Sequence, residues 1–96
     1  PRICYRNFKL DGRLEIPNKF VRDLGLLEGE ILYVIDNDDS GLVVKQSHEI
    51  ENSDFVLVRT QISYGRLRIP KIAIEAKFPT GLGATIILDD SKIFIE

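Results

Sequence analysis

The hexamer Gly-Arg-Leu-Glu-Ile-Pro at residues 12–17 returns as Gly-Arg-Leu-Arg-Ile-Pro at 65–70, in a chain of only 96 residues. What surrounds it repeats as well. The run at 3–10 alternates in the manner of a strand, and Asp11-Gly12 is a hairpin-turn signal that makes 13–16 the return strand. Pro17 ends that strand and suits the first turn of a helix over 18–25. Phe20 and Leu24 share one face of that helix, and Gly25 stops it. Residues 31–36 and 42–46 read as a second hairpin around a polar turn. The same order follows in 55–96: a strand at 55–62, the turn Ser63-Tyr64-Gly65, a strand at 66–69, Pro70, a helix over 71–77, and strands at 84–88 and 92–96. The second copy carries one extra residue in the loop after its helix and three fewer around its last turn.

This pattern predicts a single domain, 1–96, made of two β-β-α-β-β repeats. Repeat one spans 1–46, a polar linker 47–54 and repeat two 55–96. One unit of about 45 residues cannot close a core alone, and two can, each covering the other's open hairpins. The expected fold is mostly β with two short helices, closed as a pseudo-two-fold barrel. Phe20, Leu24, Ile72, Ile86, Ile93 and Ile95 read as core. Either one chain closes on itself or two chains exchange halves as a homo-oligomer.

Composition excludes several function classes. There is no long apolar run and no readable signal peptide, so neither a membrane span nor secretion is expected. A single cysteine, Cys4, forbids an internal disulfide, and a reducing, cytoplasmic setting is the default. Cys4 lies in a strand pattern and reads as a small core residue. His48 is the only histidine and has no metal-type neighbour. No nucleophile, metal set or cofactor loop is present, so an enzyme is not expected and no cofactor is implied. The acidic turns at 36–39 and 89–90 lack the ligand spacing of a calcium loop.

Net charge is −2, which by itself speaks against a polyanionic partner. Its distribution speaks for one. Residues 1–25 hold six Lys and Arg against three Asp and Glu, 26–54 one against eight, 55–77 five against one, and 78–96 one against three. Sign alternates in step with the repeat, and local sign governs a phosphate footprint.

Gly-Arg-apolar-X-Ile-Pro, followed by a short helix ending in Leu-Gly and by two apolar strands around an acidic turn, resembles the AbrB (SpoVT-AbrB) swapped-hairpin family of small DNA-binding regulators. The likeness is close over 6–46 and looser over 59–96. It implies a swapped-hairpin barrel and duplex DNA as partner. It also implies DNA contacts from the arginine of the first strand, the arginine of the Gly-Arg turn and basic residues of the short helix. Arg6, Arg13 and Arg22 occupy those positions in the first repeat, with Lys19 on the same helix. Arg59 and Arg66 occupy the first two in the second repeat, with Arg68 and Lys71 close by. Glu75 stands where Arg22 would, and Lys77-Phe78 replaces Leu24-Gly25, so the second helix is expected to contribute less. The related MraZ family also carries two repeats in one chain, but its Asp-X-X-X-Arg signature is missing: Lys9 and Ile62 stand four before Arg13 and Arg66.

Arginine suits bidentate contact with phosphate or guanine, and its recurrence at two equivalent turns favours function over ordinary surface pairing. For Arg6 and Arg59, DNA contact and strand-edge solubility both remain open. The leading expectation is a DNA-binding transcription regulator. The alternative is a protein-interaction module of the same fold, an antitoxin or an inhibitor. A toxin partner is the lesser expectation, since no toxin-wrapping tail follows the last strand in 1–96.

Overall fold

The computed structural model describes all residues, 1–96. The elements are β1 (Arg2–Asn7), β2 (Leu14–Glu15), α1 (Asn18–Asp23), β3 (Ile31–Asp36), β4 (Leu42–Gln46), β5 (Phe55–Gln61), β6 (Arg68–Ile69), α2 (Lys71–Lys77), β7 (Gly83–Asp89) and β8 (Lys92–Ile95). Short 3-10 turns lie at Asp38–Ser40 and Ser47–Glu49. The chain is thus mostly β with two short helices. No helix is long and apolar enough to cross a membrane.

Six strands form one sheet in the order β1-β7-β8-β4-β3-β5, and β2 and β6 form a separate two-stranded ribbon. All neighbours are antiparallel. Each long hairpin, β3–β4 or β7–β8, receives the first strand of the other half: β5 pairs with β3 and β1 with β7. The hairpins meet where β4 pairs with β8.

Two expectations change here. The sheet is not closed into a barrel; β1 and β5 are its two edges. Nor do β1 and β2 form the ladder that Asp11-Gly12 suggested. The turn forms, with the Arg13 carbonyl accepting from Lys9 N–H (2.8 Å) and the Lys9 carbonyl from Gly12 N–H (2.9 Å). Beyond it the return segment leaves β1 and pairs with β6, Leu14 opposite Ile69 and Glu15 opposite Arg68. The physical reason is burial: Leu14, Ile16, Leu67 and Ile69 are all fully buried, and only pairing across the halves puts all four side chains on one inward face.

The main core lies between the sheet, the ribbon and the helices. Phe20 and Val21 of α1 and Ala73 and Ile74 of α2 meet Leu32, Val34, Leu42 and Val44 from the first hairpin and Ile86, Ile93 and Ile95 from the second. Leu24 packs against its margin. Ile72, expected in the core, is 64% exposed, because α2 turns Ala73 and Ile74 inward instead. Pro17 and Pro70 sit at the N-caps of α1 and α2, and Gly25 follows α1 with φ +66°.

Residues 47–54 are more than a tether. Since β4 and β5 both run antiparallel to β3, they run parallel to each other, and the chain must cross the sheet between them. Glu49 accepts from Gln46 N–H (3.0 Å) and approaches Lys92 Nζ (3.7 Å). Lys45, almost fully buried, donates to Asp54 (2.9 Å) and lies 3.7 Å from Glu51. The Asp54 hydrogen bond, helped by both carboxylates, raises the Lys45 pKa against the opposing effect of burial. Ile35 and Val43, outside the main core yet 1% and 4% exposed, line the same hollow as Glu51, Ser53 and Asp54.

Gly41 ends the 3-10 turn at φ +89°, and a Cβ there would stand 2.1 Å from the Ile95 carbonyl oxygen. The clash is with backbone of β8, which cannot move without breaking the β4–β8 ladder. Gly41→Ala is therefore expected to destabilise the fold by more than about 2 kcal/mol, read as a lower urea midpoint in chemical denaturation.

Candidate nucleic-acid interface

The ribbon's alternation sorts its side chains. Leu14, Ile16, Leu67 and Ile69 point into the core, so Glu15 and Arg68 point out, and the flanking Arg13 and Arg66 share that outward side. The two Gly-Arg turns thus stand at either end of one charged surface.

The first turn is tight. Gly12 adopts φ +89°, and a Cβ on it would lie 2.8 Å from Lys71 Cγ, so the aliphatic stem of Lys71 covers the turn. Asp11 then holds Arg13: its carboxylate accepts from Arg13 N–H (3.1 Å) and Nε (2.9 Å) and lies 2.7 Å from Nη2. The Arg13 hydrogen bonds keep the Asp11 carboxyl below its usual range, and Asp11 in turn raises the Arg13 pKa.

The second turn is built differently. Ser63 and Arg66 exchange backbone hydrogen bonds of 3.1 and 3.0 Å, and Tyr64 and Gly65 take φ +53° and +70°. This is a two-residue turn of the type I′ kind. Its two central N–H groups donate to Glu28, from Tyr64 to Oε2 and from Gly65 to Oε1, each at 2.8 Å. Those two bonds hold the Glu28 carboxyl below its usual range.

Glu15 is the hub between the turns. It accepts from Arg68 Nε (3.1 Å) and Arg66 Nη1 (3.4 Å) and lies 3.5 Å from Lys9 Nζ. Burial pushes its carboxyl up, but the Arg68 hydrogen bond and the nearby charges of Lys9, Arg66 and Arg68 outweigh that and leave it below its ordinary value.

Two clefts flank the ribbon. One, of about 230 Å³, is lined by Arg13, Arg66, Arg68, Thr60, Gln61, Ser63 and Pro70, with the proline as its one apolar side chain. The other, of about 320 Å³, is lined by Arg6, Asn7, Lys9, Glu15, Ile16, Pro17 and Asn18. Three guanidiniums beside hydroxyl and amide groups make the first a ready acceptor of a phosphate-like anion.

The sequence-predicted residues separate here. Arg13, Arg66 and Arg68 come together, and Arg6 joins the neighbouring cleft. Lys71 covers the first turn. Lys19 and Arg22 sit exposed on α1, outside both clefts. Arg59 does not match Arg6. Arg6 lies opposite Ala84 on the inner face of the sheet, whereas Arg59 lies opposite Tyr33, between the inward Leu32 and Val34, and so faces outward. Thr60, opposite Leu32, takes the place corresponding to Arg6 and donates its hydroxyl to the Arg68 carbonyl (2.8 Å). The constant offset of 53 fails because the second turn is one residue shorter than the first.

The sequence does not single out Lys9, Glu15, Glu28 or Thr60 as site residues. Lys9 and Glu15 were visible only as charges, and Glu28 reaches a turn 36 residues away, which no local pattern signals. No group of three or more His, Cys, Asp and Glu side chains is placed to hold a metal ion. Comparisons with protein-family models, curated proteins and solved structures find no match.

Glu15 titrates lower in the folded chain than in the unfolded one. Its pairing therefore stabilises the fold above its ordinary value of 4.5, and that contribution is lost as pH falls through the lower folded value. Glu15→Gln is expected to lower the Tm at about pH 7, with the difference from wild type shrinking as the pH of a series of thermal melts is taken down below 4.5.

Proposed function

We propose that this chain is a duplex-DNA-binding regulator of transcription, built from an internal duplication of one β-β-α-β-β unit with exchanged hairpins, in the manner of the AbrB family it resembles. The observation that carries the proposal is the convergence of Arg13, Arg66 and Arg68 on one cleft rich in hydrogen-bonding groups. Arginines brought together from two distant turns, with Thr60, Gln61 and Ser63 between them, suit a row of phosphates on a curved backbone better than a small apolar ligand.

The duplication is supported by the ladders. Exchanging β1–β4 with β5–β8 leaves the set of strand pairs unchanged. One chain supplies both turns, so a monomer suffices to present them. A cytoplasmic setting goes with this reading.

In the proposed mechanism the arginines and Lys9 anchor the backbone by charge, and arginine side chains reaching beyond the phosphates read base edges or groove width. Asp11 and Glu15 hold the guanidiniums in place before DNA arrives, and phosphate then competes with these carboxylates for them. Lys19 and Arg22 extend the footprint along α1.

The test is a salt titration of binding to a mixed-sequence duplex. Replacing Arg13 and Arg66 together by alanine is expected to weaken binding about tenfold or more and to lower the slope of log K against log salt by about 2. Unchanged affinity and slope in the double variant overturn the assignment.

A further inference from the structure

Arg13 and Arg66 stand at matching turns but are held by different means. Asp11 grips the Arg13 guanidinium itself, through Nε and Nη2. Nothing grips the Arg66 guanidinium comparably; its only ion pair is the 3.4 Å contact with Glu15. What is held tightly is the turn that carries it. The Glu28 carboxylate accepts from two consecutive N–H groups, Tyr64 and Gly65, at 2.8 Å each. These amides lie at the turn's tip, where the reciprocal Ser63–Arg66 bonds leave them free for an anion.

Glu28 comes from the loop between α1 and β3, in the other half of the chain. That loop is itself anchored. The Leu27 N–H donates to Glu30 Oε1 (3.0 Å), the Ile62 carbonyl accepts from Gly29 N–H (2.8 Å), and the Glu30 carbonyl accepts from Ile62 N–H (2.9 Å). Glu28 thus projects from a braced loop onto a turn whose two central residues both hold positive φ, a conformation that Tyr64 adopts only against strain.

We infer that Glu28 is the positioning residue for Arg66: a carboxylate of the first half clamps the Gly-Arg turn of the second half and aims its guanidinium into the polar cleft while leaving that guanidinium free to engage phosphate. The inference rests on the duplex-binding reading. It makes a prediction of unusual sign. Glu28 is a negative charge beside a polyanion site, so deleting it strengthens binding if only long-range charge matters. If Glu28 aims Arg66, deleting it weakens binding.

The experiment uses the full chain with Glu28→Ala, Glu28→Gln and Arg66→Ala, alone and combined, in two measurements. The first is affinity for a mixed-sequence duplex at fixed low salt. Glu28→Ala is expected to bind roughly three- to tenfold more weakly than wild type, Glu28→Gln to recover part of the loss through its one acceptor oxygen, and Glu28→Ala to have no further effect once Arg66 is alanine. Equal or tighter binding by Glu28→Ala, or an undiminished loss in the Arg66→Ala background, overturns the positioning role. The second is amide hydrogen exchange at Tyr64 and Gly65, which needs no DNA. Exchange at both is expected to accelerate in Glu28→Ala, and unchanged exchange overturns the clamp. Should wild type bind no duplex while exchange accelerates, the clamp stands and the nucleic-acid reading falls.

Discussion

Everything in this molecule hangs on a ribbon of two strands, each two residues long. Leu14 faces Ile69, Glu15 faces Arg68, and the Leu67 carbonyl accepts from Ile16 N–H at 2.9 Å. Four side chains, two from each half, reach full burial only because this pairing forms. Each is worth roughly 1.5–3 kcal/mol on transfer from water, so neither half can forgo its partner. The same alternation expels Glu15 and Arg68. The charged surface is thus a by-product of core packing, and a one-residue slip of either strand would turn its two charges inward and its two apolar side chains outward.

The two halves share an architecture and divide the chemistry. Arg13 is restrained through its own guanidinium, and Arg66 through its backbone. Arg6 on one side corresponds to Thr60 on the other, and Glu15 to Arg68. Arg22 of α1 corresponds to Glu75 of α2. Opposite charges at Glu15 and Arg68 make the ribbon's centre attractive, where two identical halves would place like charges face to face. Divergence of the repeats therefore has a structural reason as well as a functional one.

The crossover at 47–54 shows how little polarity says about role. Its letters read as solvent-exposed linker. In the fold, Lys45 is almost entirely buried and binds Asp54, and the segment runs past Ile35 and Val43. The lysine is tolerated there because its charge is paired and hydrogen-bonded. An apolar strand such as 42–46 carries no hint that one of its members will meet a carboxylate nine residues on.

The sequence by itself determined the elements and their order, because those depend on neighbours. Alternation marked β1, apolar runs around a polar turn marked β3 and β4, proline marked where each helix opens, and glycine, at φ +89° or +70°, marked the two Gly-Arg turns. It also determined that arginine would stand just past both turns. Only the tertiary structure decided which strands pair, since β2 leaves β1 for β6 to complete a buried face that no local segment contains. The same long-range packing left the sheet open, turned Arg59 away from the cleft, put Thr60 in its place and brought Glu28 onto a turn 36 residues distant. Local propensity is written along the chain; register and pairing are settled by which surfaces can be buried together.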